Sequence, residues 1–160
     1  MPVAVPILAG TAIRGLAATV MMRQVLERHP NAFLITLAHF GVAMPLDKSQ
    51  EHIHHDIQAG LAAQGREPGS PVVLVGHSQG GLAALRYAVD HQDQVRHVIS
   101  VGAPWEGSVS AAQISRLFSW TGRNVTPALS DMAEGSPFLT NLHADLPAIA
   151  DPVPNIYSTH

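Results

Sequence analysis

A chain of 160 residues with 46% apolar and 13% charged residues has the composition of one folded domain, which excludes a disordered chain. Its net charge of -3, with both signs mixed along the chain, gives no basis for nucleic-acid binding. No apolar run is long enough to span a bilayer, and the absence of cysteine excludes disulfides, thiolate catalysis and cysteine-based zinc sites.

Short apolar runs alternate with longer helical patterns along the chain, which is typical of a parallel α/β sheet. The predicted strands are Val3–Leu8, Phe33–Ala38, Val72–Val75, His97–Val101 and Val153–Tyr157, and the predicted helices are Leu16–His29, Lys48–Gln64 and Gly81–His91. Pro6 removes a donor from the first strand, so it predicts an edge position or a shorter strand. We expect a single α/β domain over residues 1–160, with mostly parallel strands flanked by helices.

The third apolar run passes directly into a Gly-x-Ser-x-Gly pattern at residues 76–80 and then into a helical stretch. In this setting a sharp strand-to-helix turn raises the serine hydroxyl above the sheet. The N–H groups of Gln79 and Gly80 lie in the first helical turn, where they can face a developing oxyanion. The pattern predicts Ser78 as a nucleophile. The alternative is a glycine-rich turn in which Ser78 is an ordinary helix cap.

A catalytic serine needs a general base and an acid that orients this base, and in such folds they follow in the order Ser, Asp or Glu, His. The acid is expected after the strand Val153–Tyr157, where only three residues remain. We therefore expect the catalytic Asp and His to lie beyond His160, in a longer reading frame. Within the printed sequence, a compressed triad of His160 with Asp145 or Asp151 is the alternative.

The regular patterns loosen between Trp105 and Asp131, where glycine and serine mix with large apolar side chains. The stretch Ser110–Trp120 fits a short amphipathic helix, whose apolar stripe either packs on the core or forms a flap over the site. A flap would bring Trp105, Phe118 and Trp120 against an acyl chain. We therefore expect a flap-like or lid-like insertion near residues 105–131.

Histidines are frequent in the predicted second helix, and another directly precedes the serine. His52 and His55 have a spacing that can hold a metal, but no carboxylate motif accompanies them. A solvated helix face is favoured for them and for His54, and we predict neither a metal nor another cofactor. His77, the variable residue of the turn, is expected to pack beside Ser78 rather than act as its base.

Three motifs in chain order resemble the bacterial lipase and esterase branch of the α/β-hydrolase superfamily. They are Gly76-His77-Ser78-Gln79-Gly80-Gly81, Val101-Gly102-Ala103-Pro104-Trp105-Glu106-Gly107-Ser108 and Gly135-Ser136-Pro137-Phe138-Leu139. The resemblance covers residues 3–157 and implies an α/β-hydrolase fold that is truncated before its last strands. It also implies a second oxyanion N–H from Thr11, although Ala9-Gly10 replaces the usual His-Gly of that loop.

These observations predict a serine hydrolase that cleaves carboxylic esters of lipid-like substrates, with Gln79 and Thr11 holding the oxyanion. The alternatives are an acyltransferase or thioesterase on the same site, and a catalytically inactive fragment or binding module that lacks the triad Asp and His. The expected partners are a small ester or lipid and transiently a lipid interface, without nucleic acid. No secretory signal is visible, so the default location is cytoplasmic, and a secreted protein is expected if the N-terminus is incomplete.

Overall fold

The computed structural model describes residues 3–9, 24, 26–36, 44–107, 127–146 and 155–156. In this part of the chain, five parallel strands form one sheet, and four helices accompany it. The strands are β1 (Val5–Ala9), β2 (Ala32–Thr36), β3 (Val72–His77), β4 (Val95–Val101) and β5 (Asn155–Ile156), in the spatial order β2-β1-β3-β4-β5. The helices are α1 (Gln50–Ala63), α2 (Gln79–Asp90), α3 (Pro127–Asp131) and α4 (Pro137–Asp145).

The predicted parallel sheet flanked by helices is therefore confirmed, with small shifts at the ends of its elements. The strand predicted from His97 begins two residues earlier, and the strand Val72–Val75 continues to His77. Residues 24 and 26–28 are helical, and the rest of the first predicted helix up to residue 25 lies outside the described residues. None of the helices in the described ranges has the length and apolar character required to cross a membrane.

β1 is an interior strand, so the edge position predicted from Pro6 is wrong. The N–H of Val5 donates to Asn31 on the β2 side, and alternation along the strand turns Pro6 toward β3. On that side β1 makes one bridge from Ala4 and then pairs continuously only from Ile7 onward. The missing N–H of Pro6 falls in this gap, and the strand is shorter than predicted at its N-terminal end.

The two long helices pack against the sheet to different extents. α1 buries residues four apart, namely Ile53, Ile57 and Leu61, which is the spacing of one helical stripe. α1 approaches β2 so closely that a Cβ on Gly60 would collide with the Phe33 ring. α2 is almost entirely buried and packs across β3, β4 and β1. The core cluster therefore includes much of α2 together with residues of the strands beside it.

Candidate active site

Ser78 is the single residue between the end of β3 and the start of α2. Its backbone angles are φ 54° and ψ -125°, and it is the only non-glycine residue with positive φ among those the structure describes. Such a conformation is strained for an L-residue and persists only where its surroundings impose it. The Ser78 N–H donates to Val101 O at 2.9 Å, and the Gly81 N–H donates to Ser78 O at 2.9 Å. Both sides of the turn are thus fixed, and the Ser78 side chain is half-exposed.

The tight turn depends on glycines that allow backbones to touch. A Cβ on Gly76 would lie 2.5 Å from the Cα of Gly81, so the turn could not close over a side chain. A Cβ on Gly80 would meet the backbone carbonyl of Leu8, with 2.8 Å to its carbon atom. Since both obstacles are backbone atoms, they cannot move aside as a side chain could. The Gly-x-Ser-x-Gly pattern is therefore a steric requirement of this junction.

The structure places three of the predicted site residues around this turn. His77 ends β3 and is exposed, whereas Gln79 begins α2 and is only 3% exposed. The N–H of Gln79 belongs to the first helical turn, at the positive end of the helix dipole, which suits an oxyanion. Thr11, Phe118 and Trp120 lie outside the described residues, as does most of the insertion near 105–131. The end of that insertion forms the helix α3.

The loop after β4 lies against the turn. A Cβ on Gly81 would be 2.5 Å from Ser100 Oγ and 2.7 Å from the Ala103 Cβ, so β4 and its loop are in close contact with α2. The backbone N–H of Trp105 donates to Ala103 O at 3.0 Å, and the partly buried side chain of Trp105 packs against the core. The buried Ser100 Oγ and Trp105 Nε1 have no hydrogen-bond partner within the described ranges.

Asp145, one of the two acids considered above for a compressed triad, is held in an ion pair. Its carboxylate accepts a hydrogen bond from Arg86 Nη1 at 2.7 Å, and Arg86 also binds Asp90. These contacts, led by the hydrogen bond to Asp90, raise the pKa of Arg86 despite its partial burial. Arg86 is seven residues past Gln79, so the ion pair lies about 10 Å along α2 from the turn. Asp151 and His160 lie outside the described residues.

Asp131 ties the region before α1 to the end of α3. Its Oδ2 accepts the Leu46 N–H at 2.7 Å. Burial raises the pKa of Asp131 and the nearby charge of Asp47 acts in the same direction, while the Leu46 N–H opposes them. The contact joins residues 85 positions apart, and no local sequence signal indicates it.

The Gly-Ser-Pro-Phe-Leu motif marks a helix start. Ser136 caps α4, because its Oγ accepts the Leu139 N–H at 3.2 Å, and Pro137 follows at the first helical position. The same hydroxyl donates to Asp131 O at 2.5 Å. The motif therefore has a structural role here, joining α4 to the end of α3.

His54 does not lie on a solvated helix face, although His52 and His55 are exposed as predicted. The His54 ring stacks with Tyr87 and His91, at centroid distances of 6.0 and 5.0 Å. Burial lowers the pKa of His54, and His91 adds to this effect. In the described ranges, no cluster of three or more His, Cys, Asp or Glu side chains could hold a metal ion.

Hydrogen bonds fix which nitrogen of His54 carries a proton. Gln94 Nε2 donates to Ser70 O at 3.2 Å, so Gln94 Oε1 accepts the Tyr87 hydroxyl proton at 3.0 Å. The Tyr87 oxygen has given its only proton, so it accepts the Nδ1–H of His54, 2.9 Å away. His54 therefore gains its second proton at Nε2. Burial of the hydroxyl raises the pKa of Tyr87 to about 12.

Comparison with known proteins places the chain among hydrolases. The family model described as Serine aminopeptidase, S33, matches residues 47–150. A search of curated protein sequences finds no match. Phospholipase PlaB from Legionella pneumophila is similar in structure with a TM-score of 0.64 at 17% identity, over 90% of this chain and 35% of that chain.

Two lipases are also similar in structure. The mature lipase BlEst2 from Bacillus licheniformis has a TM-score of 0.63 at 17% identity, over 94% of this chain and 64% of that chain. Lipase B from Aspergillus fumigatus has a TM-score of 0.56 at 19% identity, over 88% of this chain and 33% of that chain. At such identities the likeness shows the fold alone. The chain spans 35% of the phospholipase and 64% of the bacterial lipase.

Proposed function

Because the chain belongs to the serine aminopeptidase S33 family of α/β hydrolases, we propose that it is a serine hydrolase of the lipase or esterase type whose nucleophile is Ser78. The observation that carries this proposal is the backbone of Ser78, strained at φ 54° between a central strand and a buried helix. Backbone strain of this kind concentrates at functional sites, whereas an ordinary helix cap does not require it. Ser78 also has φ and ψ unlike those of a regular cap.

The proposed reaction is acyl transfer from an ester to water. Ser78 Oγ attacks the acyl carbonyl carbon, the bond to the alcohol oxygen breaks, and the alcohol leaves with the hydroxyl proton. Water then attacks the acyl-enzyme and releases the carboxylic acid. The N–H groups of Gln79 and Thr11 hold the oxyanion that forms in each step.

We propose that the general base and its acid follow β5, outside the described residues. Two carboxylates within the described ranges already serve other contacts. Asp145 binds Arg86, and Asp131 accepts the Leu46 N–H. A histidine and an acid that come after β5 would keep the order Ser, acid, His and would reach the same edge of the sheet as Ser78.

The substrate is proposed to be a lipid-like ester. His77 directly precedes Ser78, Trp105 lies in the loop after β4, and Phe118 and Trp120 are large apolar residues in the proposed flap near 105–131. Covering an acyl chain with such groups gains roughly 25 cal/mol per Å². In this proposal, Phe118→Ser with Trp120→Ser weakens turnover of long-chain esters far more than of acetate esters. Equal losses on both would mean that these residues only pack the core.

A fluorophosphonate probe tests the nucleophile. The protein, expressed as its gene encodes it, is expected to be labelled at Ser78, and Ser78→Ala is expected to abolish labelling. The matched control is Ser70→Ala, two residues before β3 and about 25 Å from Ser78 along the strand direction, which is expected to keep full labelling. Undiminished labelling of Ser78→Ala, or no labelling of the wild type, would contradict the proposal and favour a non-catalytic module.

A comparison of turnover on different substrates separates an ester hydrolase from the alternative enzymes. Turnover of a 4-nitrophenyl ester is expected to exceed that of the matching thioester and of an aminoacyl 4-nitroanilide. Added alcohol is expected to leave the yield of free acid unchanged. A faster thioester reaction, a faster anilide reaction, or capture of the acyl group by the alcohol would each assign the same serine to a different reaction.

A further inference from the structure

Two polar side-chain atoms in β4 and in the loop after it are buried without a hydrogen-bond partner among the described residues. They are Ser100 Oγ in β4 and the indole Nε1 of Trp105 in the loop after it. Buried donors are nearly always paired, because leaving one unpaired forfeits its bond to water without replacement. Two such atoms within six residues of chain therefore require an explanation.

The two atoms differ in their surroundings. Ser100 is 0% exposed and lies beneath α2, against Gly81, where the sheet and the helix enclose it. Trp105 lies beyond the carboxyl end of β4, on the side of the sheet where the turn presents Ser78. Its loop is connected to the turn through the Ser78 N–H bond to Val101 and the contact of Ala103 with Gly81.

We propose that the indole N–H of Trp105 binds an acceptor oxygen of the substrate, and that the enzyme prefers esters carrying an additional uncharged ether or carbonyl oxygen near the scissile group. This inference rests on the proposed function of Ser78. The unpaired donor is disfavoured in the free protein, and a ligand oxygen satisfies it on binding. Gly102, near the start of the loop, has a positive φ of 58°, and a small adjustment of the backbone there can expose the donor.

The preference follows because an unpaired buried donor costs more free energy than a formed hydrogen bond contributes. A substrate oxygen facing the indole recovers the lost bond, whereas a methylene at the same place leaves the N–H unpaired. A donor site therefore discriminates between an ether and a methylene of nearly equal size, which an apolar pocket cannot do. Trp105 is a specificity-determining residue in this arrangement, and it takes no part in bond breaking.

The experiment uses two 4-nitrophenyl methylphosphonates that differ in one atom. One carries a butoxy group and the other a 2-methoxyethoxy group. In either case Ser78 Oγ bonds to phosphorus, the bond to the aryl oxygen breaks, 4-nitrophenolate leaves, and the hydroxyl proton passes to solvent. The labelling-rate ratio of the two probes, divided by the ratio of their alkaline hydrolysis rates, measures the preference for the oxygen. Mass spectrometry locates the adduct.

We expect the wild type to prefer the methoxyethoxy probe, and Trp105→Phe to lower that preference about tenfold. A second variant carries 3-benzothienylalanine at position 105, in which sulfur replaces the N–H group, and so removes the donor without opening a cavity. It is expected to match Trp105→Phe. Ser100→Ala is the control, because it removes the enclosed hydroxyl of β4, the strand that precedes the loop of Trp105, and it is expected to keep the wild-type ratio.

The outcomes separate the two proposals. If Ser78 is labelled and the normalised ratio is the same in wild type and in both variants at position 105, the role of Trp105 is refuted while the nucleophile stands. The same holds if Ser100→Ala changes the ratio as much as the Trp105 variants do. If neither probe labels Ser78 in the wild type, the proposed function fails, and the inference built on it fails as well.

Discussion

Replacing the strained serine by glycine is expected to stabilise the protein. Ser78 has φ 54° and ψ -125°, the mirror image of an extended conformation, which glycine adopts about as readily as the extended form itself. The Cβ of any other residue conflicts with the backbone there. Ser78→Gly removes this conflict and leaves the hydrogen bonds to Val101 and from Gly81 in place, because they use backbone atoms.

The change in the free energy of unfolding caused by Ser78→Gly is the sum of two opposing effects. Relief of the strain contributes about 1–3 kcal/mol. The greater freedom of glycine in the unfolded chain costs roughly 0.5–1 kcal/mol. The free energy of unfolding is therefore expected to rise by about 1 kcal/mol. For a chain of this length, the melting temperature would increase by about 2–4 °C.

The assay compares Ser78→Gly with Ser78→Ala by urea denaturation and calorimetry. Alanine keeps the Cβ and hence the strain, so it is expected to melt within about 1 °C of the wild type. Both variants lose the hydroxyl, so only the backbone effect separates them. If Ser78→Gly is no more stable than Ser78→Ala, the backbone at this position is not strained, and the main support for the proposed nucleophile is removed.

The remaining predictions concern stability and are tested by denaturation. Gly80→Ala is expected to lower the free energy of unfolding by about 1–3 kcal/mol or more, because its Cβ meets the carbonyl of Leu8, and an unchanged stability would show that the backbones can separate. Ser100→Ala is expected to raise it by about 1 kcal/mol, because the lost hydroxyl is buried and unpaired, and a decrease would mean that it has a partner. The lowered pKa of His54 means that folding favours its neutral form. The contribution of His54 to the free energy of unfolding is therefore complete above pH 6.5, the ordinary pKa of histidine, and declines as the pH falls below that value. Burial disfavours protonated His54, and ring stacking also places its charge beside His91, so His54→Gln is expected to reduce the loss of stability between pH 7 and pH 5, and an unchanged loss would refute this.

The sequence was sufficient for the parts of the molecule that depend on neighbouring residues. The apolar run of β3, the glycines of the turn and the start of α2 lie within about ten residues of one another. Their pattern predicted the strand, the helix and the position of Ser78 between them. Local patterns carry such information, because sterics and periodicity act over a few residues.

Sequence reasoning failed where contacts join distant residues. Pro6 suggested an edge strand or a shorter one; β1 is shorter at its N-terminal end, yet it lies inside the sheet, where a gap in its pairing with β3 accommodates the missing donor. His54 was assigned to a solvated face, yet it binds Tyr87, 33 residues away, and stacks with His91. The spacing along α1 gives no sign of a partner on another helix.

The sequence by itself therefore determined the α/β class and the strand–turn–helix unit that carries Ser78. Only the tertiary structure decided the strand order, the strain at Ser78, the pairing of Asp145 with Arg86 across 59 residues, and the unpaired indole N–H of Trp105 among the described residues. The physical reason is that these features depend on burial and on partners brought together by folding. Residues far apart along the chain leave no periodic signal of the contact they will make.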